Sequence, residues 1–157
     1  MSSFVLDSIK ILLIGVGISG ITAWITVKLA LRRFYTEKWW ERKAQAYSEI
    51  IGSLARMRMY FSRWGEELIE HRVMSREEKE KFEKEYRLAR EVIGNAVAVG
   101  SFVISEKTAD LLEAFLKQLG EGGISRDLSE DVGIRYRQVN ECIVRLREIA
   151  KKDLRKR

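Results

Sequence analysis

The 157-residue chain contains no proline. Proline breaks helices and marks turns, so its absence, with only 11 glycines, favours long uninterrupted helices over a turn-rich β fold. Cysteine occurs once, as Cys142, which excludes an intrachain disulfide and a cysteine-based zinc site and fits a reducing compartment. Histidine also occurs once, as His71, which excludes a histidine-rich metal site and disfavours a Ser-His-Asp triad. No HExxH, phosphate-binding glycine loop followed by lysine, or nucleophile elbow is present. Gly120-Glu121-Gly122-Gly123 lacks the preceding strand that a nucleotide loop requires and reads as a connection. Glu66, Glu67, Glu70 and His71 share one helix and read as a solvated acidic end rather than a metal site. The expectation is therefore a non-enzyme, with no catalytic residue, metal or cofactor.

What is present is charge and grease in separate places. Lys plus Arg number 29 against 23 Asp plus Glu, a formal +6 with a pI near 9.5. That excess suits an anionic partner such as lipid headgroups or a nucleotide, and nucleic acid ranks below them. The length allows one domain with a real core.

Residues 11–27 carry no charge and lie between Lys10 and Lys28. Lys28 can snorkel, so the run extends to Leu31, and 21 helical residues cross a hydrocarbon core of roughly 30 Å. The expected division is a short extracytoplasmic tail at 1–8, a transmembrane helix at 9–31, and a cytoplasmic part at 32–157 with a basic end. Lys28, Arg32, Arg33, Lys38, Arg42 and Lys43 follow the run, whereas only Lys10 and the α-amine precede it. Positive charge stays inside, so the N-terminus is expected outside a bacterial inner membrane. Trp24, Phe34, Tyr35, Trp39 and Trp40 then fall near the inner interface. Ser8, Gly15, Ser19, Thr22, Thr26 and Ala30 lie within about 40° of one helix meridian. Small and hydroxylated residues on one seam serve close helix contact or the lining of a narrow water path.

The rest of the sequence predicts an all-α bundle of about four helices, the first continuous with the span. Tyr47, Ile50, Leu54, Met57, Phe61, Trp64 and Leu68 alternate steps of 3 and 4, a heptad-like stripe expected to help join copies. That helix is expected to end near Val73. Ser75 to Glu78 matches a capping box for a second helix, with Phe82, Tyr86, Ala89, Ile93, Ala96 and Val103 on one face. Ser105 caps a short third helix carrying Leu111, Leu112, Phe115, Leu116 and Leu119. Ser125 or Ser129 opens a fourth, with Val132, Tyr136, Val139, Ile143, Leu146, Ala150 and Leu154 facing the core. Cys142 flanks that stripe as a buried thiol. Outside the core, Arg56, Tyr60 and Arg63 share a helix side, and Arg135 and Arg137 flank Tyr136. Planar guanidinium groups beside a stackable ring are candidates to bind an anionic nucleotide.

The phrase from Phe34 to Lys43, followed by Ala46 to Ile51, resembles a recurrent phrase of small bacterial membrane proteins. The plan of one N-terminal span and a helical cytoplasmic part is similar to membrane effectors of bacterial anti-phage nucleotide-signalling systems, the Hailong channel type in particular. That resemblance implies a homo-oligomeric, ion-conducting effector in antiviral defence, controlled by a cytoplasmic nucleotide. A non-enzymatic bitopic scaffold or adaptor for a protein partner is the alternative.

Overall fold

A computed structural model describes the backbone of residues 2–70, 73–121 and 128–155, and side chains from Ala23 onward apart from 70 and 101. Among these residues the chain is all-α. It forms four helices: α1 (Ser2–Glu70), α2 (Arg76–Val103), α3 (Glu106–Glu121) and α4 (Leu128–Arg155). The chain divides into Met1–Glu41 and a compact unit, Arg42–Arg157. Every residue from Ala23 to Arg42 is exposed.

In the first unit the expected tail lies on α1 from Ser2 onward. Residues 11–22 of the expected span are outside the described side chains, and with them Gly15, Ser19 and Thr22. Among the described residues, no helix is long and apolar enough to cross a membrane.

In the compact unit each helix runs antiparallel to the one before it. Lys79 Nζ at the start of α2 meets Glu67 near the end of α1, at 2.6 Å. The end of α2 approaches the start of α3 so closely that a Cβ on Gly100 would stand 3.3 Å from Ala109 and 3.2 Å from Ile104. Arg135 near the start of α4 donates to the carbonyl of Leu119 near the end of α3, at 2.9 Å. The last turns of α4 return to Tyr47 of α1. This is an up-down-up-down bundle, the arrangement that short connections impose.

The α1 stripe forms its centre. Tyr47, Ile50, Leu54, Met57 and Phe61 are buried, and Trp64 and Leu68 pack half-buried against them. The facing positions are Ala89 and Ile93 of α2, Leu112, Phe115 and Leu119 of α3, and Val132, Val139, Ile143 and Leu146 of α4. One chain therefore closes this core, and the heptad-like stripe is not available to join copies. Tyr136, expected in the core, is 38% exposed and departs from the α4 stripe. Its neighbours Val132 and Val139 already fill the space, and a phenol prefers a wet end.

Helix boundaries follow local chemistry. Ser75 accepts from the Glu78 amide and Glu78 returns a bond to the Ser75 amide, the reciprocal pair expected at the start of α2. α1 is described to Glu70, and Val73, near which its end was expected, is not helical. Ser105 precedes α3, but its hydroxyl pairs with Thr108 Oγ1 at 3.0 Å, and its carbonyl accepts from the Thr108 and Ala109 amides. α4 begins at Leu128, so Ser129 lies inside it, while Ser125 is outside the described residues.

Candidate functional site

The groups singled out from the sequence separate in space. Of the seam residues, Thr26 and Ala30 are described, and both are exposed. Around them Trp24 is 63% exposed and Tyr35 68%. Lys28 Nζ lies 4.7 Å from the Trp24 ring centroid, and Lys38 Nζ 5.9 Å from that of Phe34. These are cation–π contacts that let an ammonium rest on a ring face. Thr36 donates from Oγ1 to the Arg32 carbonyl at 2.8 Å, satisfying its hydroxyl within the helix.

The five candidate ligand residues do not form one cradle. Arg56 is exposed and donates to Ser53 Oγ at 2.9 Å. Arg63 pairs with Glu66 one turn on, at 2.9 Å. Tyr60 belongs to an aromatic cluster, its ring 4.7 Å from Tyr86, 5.4 Å from Phe61 and 5.8 Å from Trp64. Burial, then the neighbouring Glu83 and Tyr86, push its phenol above the ordinary range. Arg135 serves the end of α3, and Arg137 is exposed. Tyr60 and Arg63 do share the wall of a hollow of about 180 Å³ with Trp64, Lys79, Glu67 and Glu83. Its two cations face two carboxylates, so the hollow offers no strongly positive surface to a polyanion.

Two glutamates of the acidic group on α1 are in ion pairs, and the Glu70 side chain lies outside those described. Glu66 is held by Arg63 and Glu67 by Lys79, while His71 lies outside the described residues. Among the described residues no group of acidic, histidine or cysteine side chains is arranged to hold a metal ion. Cys142 is buried, and burial pushes its thiol up to about 12, with Arg145 pulling weakly the other way. At neutral pH it is a thiol and a poor nucleophile.

The strongest polar constellation was not legible in advance. The Tyr47 hydroxyl donates to Asp153 Oδ2 of α4 and lies 3.0 Å from Thr108 Oγ1 and 3.4 Å from Ser105 Oγ. Lys43 Nζ stands 3.5 Å from the same carboxylate, whose side chain is 13% exposed. Burial opposes the charge of Asp153, but bonds from Tyr47 and Ser105 and the Lys43 ammonium outweigh it and hold its carboxyl below the ordinary range. Burial first, and the Asp153 carboxylate second, push the Tyr47 phenol up. One side chain of α1 is thereby tied to the α2–α3 corner and to the last turns of α4. Two signals pointed here: a tyrosine in an apolar stripe needs a partner for its hydroxyl, and Asp153 is the single acid of a basic terminal stretch. Neither signal names the other residue.

The chain was compared with protein-family models, curated proteins and solved structures, and it matches none of them.

Proposed function

We propose that the chain is a homo-oligomeric effector of a bacterial inner membrane, in which α1 spans the bilayer with its N-terminus outside and the cytoplasmic bundle controls passage of ions. The observation that carries this reading is the join between the uncharged run 11–27 and an α1 surface with no cover from its own chain. Trp24, Val27, Leu31, Phe34 and Tyr35 occupy a sector of that helix about 100° wide, which excludes Thr26 and Ala30. Large apolar rings suit lipid and its interface, and the small, hydroxylated seam suits sister helices. One span encloses no pore, so conduction requires several copies whose Gly15, Ser19, Thr22, Thr26 and Ala30 seams meet.

The Tyr47–Asp153–Lys43 node supports control by the bundle, because it fastens α1 to the remaining helices where α1 enters the compact unit. An anionic nucleotide is the proposed ligand on the ground of the net charge of +6, and the arginines singled out from the sequence would have to leave their separate partners to hold it together. Antiviral defence is the setting that the resemblance implies.

Ion flux from vesicles carrying the purified full chain tests the reading. Flux is expected from the native chain and is expected to vanish in the Thr22→Leu/Thr26→Leu variant. Unchanged flux in that variant overturns the polar seam. Replacing residues 1–31 with an unrelated apolar span separates the adaptor alternative, since an adaptor keeps its partner and a channel loses its flux.

A further inference from the structure

The node around Tyr47 is built like a binding site whose occupant belongs to the chain. Lys43 and Tyr47 of α1, with Ser105 and Thr108 at the α2–α3 corner, form its wall, and Asp153 of α4 fills it. The wall holds three hydroxyl protons. Tyr47 and Ser105 both donate to the Asp153 carboxylate. Thr108 Oγ1 lies 3.0 Å from each of those two hydroxyl oxygens, so its own proton goes to one of them. Every hydroxyl proton therefore runs toward the carboxylate. The Lys43 ammonium stands 3.5 Å from the oxygen that Tyr47 bonds. Tyr47 and Thr108 are buried, so the protein's own groups fix this direction. A network directed in this way is matched to a negatively charged acceptor.

The segment that supplies the carboxylate has a thin apolar hold. On α4, Leu146 is the last large side chain that is fully buried; beyond it only the small Ala150 is buried, and Leu154 packs half-buried. Lys151, Lys152 and Arg155 are exposed, and Asp153 is the one acid from 151 to 157. With its carboxylate out of the wall, this stretch faces Lys43 with like charge alone.

We propose that the wall is a carboxylate-binding site held shut by the chain itself: the last turn of α4 is a strap, Asp153 is its tethered ligand, and a carboxylate from outside takes the same place when the strap lifts. One ammonium and two hydroxyl donors match the single charge of a carboxylate. A phosphate dianion in the same wall leaves a buried charge without a partner. The tether favours Asp153 by raising its effective concentration, so an outside carboxylate displaces it only by binding more tightly. The site lies wholly within the compact unit and does not depend on whether α1 crosses a bilayer.

Urea denaturation of the full chain in detergent at neutral pH tests the site, with acetate as the probe and chloride at equal ionic strength as the reference. Asp153→Ala empties the wall. It is expected to lower the urea midpoint, and acetate is expected to recover at least half of the loss, rising with the logarithm of its concentration. The native chain and Asp153→Asn, whose walls are filled, are expected to gain nothing over chloride. No gain in Asp153→Ala overturns the site, and so does an equal gain in Asp153→Asn. A gain that survives in Tyr47→Phe/Asp153→Ala puts acetate elsewhere and overturns it too. Recovery by phosphate and not by acetate overturns the carboxylate assignment. If Asp153→Ala is unfolded in chloride, folding on addition of acetate supports the site and its absence overturns it. Amide hydrogen exchange tests the strap. Residues 152–155 are expected to exchange about tenfold faster in Asp153→Ala, with or without acetate, because acetate carries no tether. Native rates there overturn the strap.

Discussion

α1 passes through two surroundings along one continuous helix. From Ala23 to Arg42 every residue is exposed, rings included, whereas from Tyr47 to Phe61 one face is sealed by three other helices. The composition of the two stretches differs less than their fate. Both carry aromatic and aliphatic residues at helical spacing, and both carry arginine and lysine. Partners make the difference: α2, α3 and α4 each bring an apolar face to the downstream part. Helical periodicity states that a face wants cover and does not state what supplies it.

Substitutions sharpen this contrast, and the largest effect is expected in the sealed part. Leu54 is fully buried, so Leu54→Ala should lower the unfolding free energy of the bundle by about 2–5 kcal/mol. Leu29→Ala, on the exposed stretch, should change it by less than about 0.5 kcal/mol. Urea denaturation followed by circular dichroism in detergent measures both, and equal losses would break the contrast. Tyr47→Phe should cost about 1–3 kcal/mol, because it removes the phenol O–H that bonds the half-buried Asp153 carboxylate beside the buried Thr108, and the Asp153 carboxyl should titrate higher when followed by NMR.

The same pair sets an acid limb. The Asp153 carboxyl titrates below its ordinary range in the folded chain, so its contribution is complete above about pH 4 and is lost as pH falls through the folded value. The Tyr47 phenol is shifted upward, so its contribution holds below about pH 10 and is lost above it. Asp153→Asn should flatten the acid limb of stability and weaken the alkaline limb, which burial of Tyr47 then sustains without the carboxylate. The smallest effect belongs to the exposed stretch. Lys38 and Glu41 are paired at 3.0 Å, with both side chains 56% exposed, and Glu41→Gln should alter stability by less than about 0.5 kcal/mol.

Much of the bundle could be read from spacing alone. The α1 stripe, the capping box at Ser75 and Glu78, the buried Cys142 and most of the α4 stripe are local patterns, and helical geometry converts each into a face or an end. Longer-range choices were not legible. Tyr47 and Asp153 lie 106 positions apart, and no local rule pairs them. Leu88, Val99 and Phe102 lie exposed on α2 beside the face that Tyr86, Ala89 and Ile93 turn to the core, and spacing does not tell which of the two the bundle takes. Tyr136 fits the core spacing, yet its ring stays half in water. Arg56, Tyr60 and Arg63 share a side of the helix wheel, but bonds to Ser53, ring packing on Tyr86 and a pair with Glu66 engage them separately.

The distance between Tyr47 and Asp153 along the chain has a consequence for synthesis. At about 5–20 residues per second, roughly 5–20 s separate the emergence of the phenol from that of its carboxylate. Throughout that wait the hydroxyl is hydrated, and the greasy stretch upstream has already left the ribosome. Without proline, no slow isomerisation delays closure once α4 is made. Under the proposed membrane reading, delivery to a bilayer has a head start of seconds over completion of the bundle.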